Sequence, residues 1–337
     1  MAVVPQEAIH QFEAMIEDVD ESLKRTFQSM HQGYPHETLM RFLKAREGIV
    51  SKAYEMLVDC LKWRVENDID DMLAKPIVPV ELYRAIRDSQ LIGMSGYTYE
   101  GLPVFAAGVG LSTLDKASVH YYVQSHIQIN EYRDRVILPA ATKKYGKHIS
   151  KCVKILDMTG LKLSALSQIK LMTIISSVDD LNYPEKTLTY YIVNAPYVFS
   201  ACWKVVKPLL QERTKRKIQV LSGCGQDELL KIMDYSALPH FCRKRGSGSG
   251  SSRNSDNPAN NCFSLNHPFH QQLYKYTKEQ FLIRHHAEPV KQGSVHVTLP
   301  EDADEEDIAK ILESELEKFK GLERYPSLTD LKISDDK

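Results

Sequence analysis

The sequence predicts a mixed α/β fold preceded by a helical N-terminal region. Residues 7–74 carry apolar side chains at three- and four-residue steps, which is typical of helices that bury one face. From about residue 80 onward, short apolar runs alternate with helical segments, which favours a mainly parallel sheet covered by helices. With 43% hydrophobic and 26% charged residues among 337, the composition is that of an ordinary globular protein.

The N-terminal region is expected to be helical through residues 1–75. Its periodicity is clearest from Leu39 to Ala45 and again from Ala53 to Trp63, where apolar side chains recur at helical spacing. Each stretch would bury one face and leave its charged residues on the other. We predict that these helices form a cap on the domain that follows.

Residues 76–245 are expected to form the α/β domain. Helices are expected at 118–145, 164–181 and 197–211. Because near-continuous apolar strands are buried on both faces, their alternation with helices favours parallel strands. Four apolar runs each fit a strand: PVFAAGVG at 103–110, CVKILDM at 152–158, LTYYIVNAP at 188–196 and KIQVL at 217–221.

A segment rich in Gly, Ser and Asn, GSGSGSSRNSDNPAN, occupies residues 246–260. It has almost nothing to bury, so we predict a flexible linker over 246–262. The extension that follows, 263–337, contains a strand-like run, SVHVTLP, and an acidic helix that begins near Asp304 and carries an apolar stripe. That helix is expected to pack on its own domain or to dock a protein partner.

The sequence lacks the usual signatures of membrane-spanning, secreted and nucleotide-binding proteins. No apolar run approaches the roughly 18 residues of a membrane span, and the acidic N-terminal segment is unlike a signal or transit peptide. No phosphate-binding glycine loop or dinucleotide fingerprint is present. The six cysteines are widely spaced and are expected to be free thiols. We therefore expect a cytoplasmic protein without a metal, a cofactor or a nucleic-acid partner.

One short motif is similar to an enzyme active site. Asp157 ends the strand CVKIL and is followed by Met158-Thr159-Gly160, as in the nucleophile loop of aspartyl-phosphate phosphatases and pumps. Leu161 stands where those enzymes carry a hydroxyl residue, and no later acidic loop could hold their magnesium. A structural aspartate that caps the next helix is the favoured alternative. Because a G-x-S-x-G nucleophile elbow is also missing, we predict that the protein is not an enzyme.

The segment 197–210, YVFSACWKVVKPLL, combines aromatic and aliphatic residues with two lysines and precedes the basic residues at 213–217. An apolar helix beside basic residues suits a reversible contact with an anionic membrane surface. The same composition also suits an ordinary core helix. The residues alone leave both interpretations open.

Several motifs occur together in an order that is typical of one family. LMRFLKAR is followed by LKWR at 61–64, GLPVF at 101–105, VKILDMTGL at 153–161, YPEKTLTYYIVNAPYVFSACWKVVKPLL at 183–210, and then TKRKIQVL and ALPHF. Over roughly residues 36–243 the chain strongly resembles the CRAL-TRIO, or Sec-fourteen-like, lipid-binding proteins. The resemblance implies a helical cap from about residue 36 and an α/β lipid-binding domain whose sheet floors a hydrophobic pocket.

The resemblance also implies roles for single residues. Arg46, Glu185, Thr214 and Lys217 match the positions that hold the inositol phosphate headgroup of phosphatidylinositol, with Arg46 either touching the headgroup or steadying Glu185. The helix at 197–211 matches the mobile gate over the pocket. Its expected contacts with the ligand or the membrane are made by Phe199, Trp203, Val206 and Leu210.

The chain departs from the family at a second ligand position. The best-known members also bind phosphatidylcholine through two hydroxyl residues, and the aligned positions here are Cys152 and Lys154. A thiol and a cation are a poor environment for a choline headgroup, which disfavours phosphatidylcholine as the second ligand. Lys154 is expected either to serve an acidic or differently shaped ligand or simply to face solvent.

The leading hypothesis is a non-enzymatic, peripheral membrane protein that binds phosphatidylinositol and transfers or presents it, linking lipid metabolism to vesicle trafficking or signalling. The expected partners are the phospholipid, an anionic membrane surface contacted transiently at the Golgi or plasma membrane, and a protein bound by the C-terminal helix. Two alternatives remain open. One is a carrier of another hydrophobic small molecule, such as a sterol, tocopherol or retinoid, and the other is an interaction protein recruited to membranes.

Overall fold

The structure is a computed structural model that describes residues 5–243 and 260–284. The strand-like run SVHVTLP, the acidic helix predicted near Asp304 and most of the predicted linker lie outside the described residues.

The N-terminal region is helical, as predicted. Its helices are α1 (Gln6–Glu17), α2 (Glu21–His31), α3 (Pro35–Ala45) and α4 (Val50–Glu66), followed by a 3₁₀ turn at Ile69–Ala74. The carboxylate of Asp20 accepts hydrogen bonds from the first backbone N–H groups of α2 and so fixes where that helix begins. The apolar faces of the four helices meet in a core that includes Phe12, Phe42 and Leu57.

The second region is built on a mainly parallel five-stranded sheet. Its strands are β1 (Ile92–Tyr97), β2 (Pro103–Ala107), β3 (Cys152–Asp157), β4 (Thr187–Val193) and β5 (Ile218–Val220). They lie side by side in chain order, with β1 antiparallel to β2 and all other neighbours parallel. The four predicted strands are β2 to β5. β1 was not predicted, because Gly93 and Gly96 interrupt its apolar pattern.

Helices connect and cover the strands. They are α5 (Val80–Gln90), α6 (Val119–Tyr132), α7 (Leu138–Tyr145), α8 (Ile169–Asn182), α9 (Phe199–Leu209), α10 (Glu212–Lys215) and α11 (Gln226–Leu229). A π-helical turn at Arg133–Ile137 joins α6 to α7, and every residue from Tyr122 to Tyr132 is buried. Within the described residues, no helix is both long and apolar enough to cross a bilayer.

The register of the sheet aligns one row of side chains across three strand pairs. Phe105 pairs with Lys154, Lys154 with Tyr190, and Tyr190 with Ile218. Residues paired on neighbouring strands project from the same face of a sheet. The row therefore places a lysine in the middle of a largely apolar face.

The chain returns to the α/β domain after the predicted linker. α12 (Pro268–Ile283) packs on the 3₁₀ turn and on β1, and it buries Phe269 and Leu273 there. The predicted linker boundary at residue 262 is wrong, because Cys262 is buried. Its backbone carbonyl occupies the space where a β-carbon on Gly93 of β1 would lie. Residues 260–284 are thus an integral part of the fold.

Candidate functional site

A cavity of about 350 Å³ lies between the sheet and the helices α6, α8 and α9. Its floor is formed by the row of paired strand residues, extended by two more. The row is Phe105, Lys154, Tyr190 and Ile218, and the additional residues are Leu156 and Ile192. Its walls include Ile129 from α6 and Met172 from α8. The lining is mostly apolar, so the cavity suits a ligand with long hydrocarbon chains.

Helix α9 closes one side of this cavity. Phe199, Trp203 and Val206 recur at steps of four and three residues, so they share one helical face, and they line the cavity together with Leu210 just beyond the helix. The rings of Phe199 and Trp203 stack with centroids 5.8 Å apart. Pro208 lies inside the helix and has no N–H to donate to the preceding turn, which weakens the end of α9. The structure brings all four predicted gate residues onto the cavity, and their movement stays a prediction.

A small polar compartment adjoins the cavity beside α10 and the start of β4. Three of the predicted headgroup residues, Glu185, Thr214 and Lys217, line it. The Nζ atom of Lys217 donates to Oε2 of Glu185 at 2.8 Å, and the hydroxyl of Thr214 contacts Oδ1 of Asp180 at 3.4 Å. Chain positions about 30 residues apart thus meet because parallel strands begin at the same edge of a sheet.

The backbone at Glu185 is in an unusual conformation. Its φ of 61° lies in the left-handed region, which costs a non-glycine residue roughly 1 kcal/mol. Lys217 holds the side chain, and Nη1 of Arg41 donates to the preceding carbonyl, that of Pro184, at 3.4 Å. These contacts keep the carboxylate of Glu185 directed at the compartment.

Arg46 lies apart from the other predicted headgroup residues. Its Nη1 atom donates to the carbonyl of Ala45 at 3.2 Å, and Arg213 donates to the same carbonyl at 3.1 Å. Burial and then the charge of Arg213 lower the pKa of Arg46. Arg46 lines neither the cavity nor the compartment. Lys217 binds Glu185 directly, and a contact of Arg46 with the headgroup or with Glu185 stays a prediction.

Of the two predicted second-ligand positions, only Lys154 faces the cavity. Cys152 is fully buried, with its Sγ atom 3.9 Å from the hydroxyl of Thr187. It belongs to an apolar cluster with Tyr132 and Ile137, at the junction of α6 and α7. Cys152 does not line the cavity, and its role as a second-ligand position stays a prediction.

The sequence left open that Lys154 simply faces solvent. In the structure it faces the cavity instead. Its Nζ atom lies 3.0 Å from Oδ2 of Asp179, whose Oδ1 accepts hydrogen bonds from Nε2 of His126 and Nδ2 of Asn130, both at 2.7 Å. Burial alone would lower the pKa of Lys154, but the Asp179 carboxylate outweighs burial and raises it. Burial would likewise raise the pKa of Asp179, yet His126 and Lys154 hold it well below its usual value. Both side chains are therefore charged inside the protein.

Neither Asp179 nor its partners on α6 were predicted from the sequence. His126, Asn130 and Arg133 recur at steps of four and three residues along a buried helix, and all three line the cavity. Nη1 of Arg133 donates to Oδ1 of Asn130 at 2.8 Å, which connects them. Polar residues that recur at helical spacing between the apolar residues Val123, Ile127 and Ile129 are the signal that could have identified them.

The ion pair of Lys154 and Asp179 lies where the cavity meets the polar compartment. Both residues line both spaces, as do Arg133, Tyr190 and Thr214. A ligand that fills both spaces therefore contacts this pair.

Asp157 stabilises a turn. Its Oδ1 atom accepts hydrogen bonds from the backbone N–H and hydroxyl of Thr159, at 3.1 and 2.7 Å, and from Nδ2 of Asn194 at 2.9 Å. The carboxylate fixes the turn after β3 and ties it to the end of β4. This is a structural role, as favoured above, although the residue does not cap α8 as expected.

Two family models match the chain. The model described as CRAL/TRIO domain matches residues 87–242, and the model described as CRAL/TRIO, N-terminal domain matches residues 8–59. The chain belongs to the CRAL-TRIO family. The N-terminal match begins at residue 8, so the family region starts well before residue 36, where the resemblance placed it.

Curated relatives of this CRAL-TRIO chain carry names that describe transfer proteins. Phosphatidylinositol/phosphatidylcholine transfer protein SFH12 of Arabidopsis thaliana is 33% identical over 213 residues, covering 60% of this chain and 38% of the relative. The protein of the same description named SFH11, also of Arabidopsis thaliana, is 31% identical over 212 residues, covering 61% and 56%. The chain thus spans less than two thirds of the length of these plant relatives.

A fungal relative is matched over more of its length. The SEC14 cytosolic factor of Eremothecium gossypii is 28% identical over 246 residues, covering 71% of this chain and 78% of that protein. None of the three names describes an enzyme, in agreement with the prediction from the sequence. The crystal structure of Sfh5 superimposes with a TM-score of 0.57 over 84% of this chain and 100% of that chain, at 17% identity, which shows a shared fold.

Proposed function

We propose that this CRAL-TRIO protein binds phosphatidylinositol and transfers it between membranes or presents it to other proteins. The observation that carries the proposal is the junction of an apolar cavity with a compartment lined by Lys217, Glu185 and Thr214. The names of the plant relatives support a phospholipid ligand. Through such an activity the protein links lipid metabolism to membrane trafficking or signalling.

The apolar cavity accounts for the hydrocarbon part of the ligand. Two acyl chains contain about 30 methylenes, and exposing them to water would cost on the order of 24 kcal/mol at about 0.8 kcal/mol each. A protein that carries such a lipid through water must therefore enclose the chains. The floor of apolar strand residues and the roof formed by α9 support this role.

The polar compartment accounts for the headgroup. The ammonium of Lys217 supplies a positive charge for the phosphodiester, the hydroxyl of Thr214 donates one hydrogen bond, and the carboxylate of Glu185 accepts from inositol hydroxyls. Lys217 and Glu185 already bind each other at 2.8 Å, so the headgroup adds to an arranged pair. Arg46 has no assigned contact in this proposal.

Helix α9 acts as the gate in this proposal. It opens at the bilayer, where Phe199 and Trp203 shield the acyl chains during exchange. The basic residues Arg213, Lys215 and Arg216 follow the helix and favour an anionic surface. The protein is accordingly proposed to associate reversibly with the Golgi or plasma membrane.

Transfer of radiolabelled lipids between vesicles tests the proposal. Phosphatidylinositol and phosphatidylcholine are assayed separately with the wild type, Lys217→Ala and the control Lys231→Ala, whose lysine forms an exposed ion pair with Glu228. We expect phosphatidylinositol transfer that Lys217→Ala reduces about tenfold or more, since a charge-assisted bond is lost, while Lys231→Ala leaves it unchanged. Full transfer by Lys217→Ala would remove the headgroup assignment.

A second candidate function keeps the cavity and changes the ligand. The polar cluster around Lys154 and Asp179 lies inside the cavity, where a small hydrophobic molecule with one polar group would fit beside it. A sterol, tocopherol or retinoid has that chemistry. Native mass spectrometry of the purified protein distinguishes the two, because a co-purified non-phospholipid without phosphoinositide would favour this second candidate.

A further inference from the structure

Two buried nitrogen atoms on the cavity wall have no hydrogen-bond partner within the described part of the chain. They are Nδ1 of His126 and Nη2 of Arg133, in residues that are 6% and 2% exposed. Their other nitrogens are engaged, since Nε2 of His126 binds Asp179, and Nε and Nη1 of Arg133 donate to Asp134 and Asn130. Buried polar atoms nearly always have a partner. Both residues line the cavity, so a polar group of a ligand bound there can reach them, and Nη2 of Arg133 is a donor that needs an acceptor.

Charge identifies the kind of group that this wall would accept. Around this wall the cationic side chains outnumber the carboxylates. The cations are Arg41, Arg133, Lys154 and Lys186, and the carboxylates are Asp134 and Asp179. Burial, followed by the charge of Arg41, lowers the pKa of Lys186 to about 7. The excess stays positive when Lys186 is neutral.

The remaining carboxylates nearby do not compensate this excess. Glu185 is paired with Lys217 at 2.8 Å, and Asp180 lies 3.6 Å from Arg213. Each therefore has a cation of its own. An uncompensated positive charge in a poorly hydrated site favours an anion over a neutral or cationic group.

We propose that the part of the cavity at Arg133 and Lys154, where it meets the polar compartment, is an inner site that binds the head of an anionic amphiphile, a carboxylate or phosphate on a hydrocarbon chain. Its oxygens accept from Nη2 of Arg133 and from Nζ of Lys154, which has three N–H donors and directs one at Asp179. The hydrocarbon chain lies along the apolar floor. A choline group fits poorly, because a quaternary ammonium offers no acceptor to these donors and is repelled by both cations.

This inference deepens the proposed function and rests on it for the assignment of the cavity to a lipid. The inner site differs from the headgroup pair, since Arg133 and Lys154 line both the cavity and the polar compartment, whereas Glu185 and Lys217 line the compartment alone. The two sites are adjacent, so one lipid with two polar groups or two successive ligands can use them.

Displacement of a fluorescent polyene fatty acid tests the inner site. The competitors share a sixteen-carbon chain and differ in the head: a carboxylate, its methyl ester, a phosphate monoester and a phosphocholine. We expect the wild type to prefer the carboxylate over the methyl ester about tenfold, the size of one charge-assisted hydrogen bond. Lys154→Met should bring that ratio close to one. The control Lys231→Met, which removes the lysine of the exposed ion pair with Glu228, should leave the ratio unchanged.

A second variant, Lys154→Gln, keeps the test valid if Lys154→Met does not fold. Lys154→Gln removes the charge and retains an N–H donor for Asp179, and its folding is checked by circular dichroism and thermal melting. Equal displacement of the wild-type probe by carboxylate and methyl ester would overturn the inference, as would a carboxylate preference that survives in a folded Lys154→Gln. Preference for the phosphate over the carboxylate would assign the head to a phosphate and retain the anion site.

Phosphatidylinositol transfer, measured on the same preparations, separates this inference from the proposed function. A wild type that transfers phosphatidylinositol and shows no preference for an anionic head disproves the inner site alone. A wild type that transfers no phosphatidylinositol but binds the fatty acid with the expected ratio disproves the proposed ligand and retains the inner site.

Discussion

The ammonium group of Lys217 lies 2.8 Å from the carboxylate of Glu185, and only 16% and 7% of these two side chains are exposed. The pair joins the end of α10 to the turn before β4, so it links two parallel strands at the edge where the polar compartment opens. A buried ion pair contributes little net stability, but removing one member leaves an uncompensated charge. The two residues should therefore behave as a unit in folding as well as in binding.

A double-mutant cycle measures this coupling. Glu185→Ala and Lys217→Ala should each lower the free energy of unfolding by about 1–3 kcal/mol, because each leaves its partner buried and unpaired. The double variant should lose clearly less than the sum of the two. Denaturant unfolding of the four proteins gives the coupling energy.

The matched control is the exposed pair of Lys231 and Glu228, whose side chains are 66% and 57% exposed and 2.7 Å apart. Its cycle should show a coupling of roughly 0.2–1 kcal/mol or less, because water screens the charges. Equal coupling in the two cycles would contradict the importance of burial at Glu185.

The pH dependence of stability should report on Glu131. This carboxylate is 2% exposed, and although burial would raise its pKa, Arg64, 2.9 Å away, and Arg135 lower it from 4.5 to about 2. A lowered folded-state pKa adds stability that is fully present above pH 4.5 and is lost as the pH falls toward 2. The lowering of the pKa of Glu131 from 4.5 to about 2 corresponds to about 3 kcal/mol in the free energy of unfolding.

Comparison with Glu131→Gln isolates this contribution. The wild type should exceed the variant in unfolding free energy most at pH 6–7, and the difference should shrink between pH 4.5 and 2. Denaturant titrations at several pH values measure it. A difference that is constant over this range would show that Glu131 is not held ionised by Arg64.

Trp203 should report directly on ligand in the cavity. The chain has two tryptophans, and Trp63 packs against the ring of Tyr183 with centroids 6.3 Å apart, outside the cavity lining. In Trp63→Phe, a phospholipid with brominated acyl chains should quench most of the remaining fluorescence, because bromine quenches only at short range. In Trp203→Phe, the same lipid should have little effect. Similar quenching in both variants would place the acyl chains elsewhere.

Two truncations should differ sharply in stability. Ending the chain after Arg284 keeps α12, whereas ending it after Arg243 removes the buried side chains of Cys262, Phe263, Phe269 and Leu273. At about 1.5–3 kcal/mol for each large apolar side chain, the shorter variant should lose roughly 6 kcal/mol or more. That loss is comparable to the whole stability of a typical domain. Thermal melting of both variants tests the prediction.

The truncations also determine how the interaction hypothesis can be examined. Removing residues 246–337 would take away α12 together with the acidic segment that follows it, so loss of localisation would be ambiguous. Ending the chain after Arg284 removes only the residues beyond the described helix. If that variant still transfers lipid but loses its membrane localisation, the acidic segment docks a partner.

Periodicity and motif order were sufficient to predict the architecture. The N-terminal helices, the strands β2 to β5 and the long helical segment joined by the π turn follow from apolar spacing, because burial requires one face of each element to be apolar. β1 was missed because two glycines break its pattern, and α12 was missed because nothing local marks a segment that packs on residues nearly 200 positions earlier.

The site was predicted unevenly, for physical reasons. The gate residues share a helical face, so their placement on the cavity followed once the helix was recognised. Glu185 and Lys217 came from the family resemblance. Sequence spacing does not encode which side chain a neighbouring element covers, and for that reason the burial of Cys152 outside the cavity lining could not be predicted. Asp179 was missed because its partners lie on α6 and β3, which are distant in sequence.

The attachment of α12 through residues 244–259 has a further consequence. Docking of this helix onto β1 and the turn at 69–74 is an intramolecular reaction, and a short connection of this kind typically supplies an effective concentration in the millimolar range. A single proteolytic cut between residues 243 and 260 would leave every packed side chain of the described residues in place and would convert the docking into a bimolecular equilibrium. The cleaved protein would then hold its helix in concentrated solution and release it on dilution.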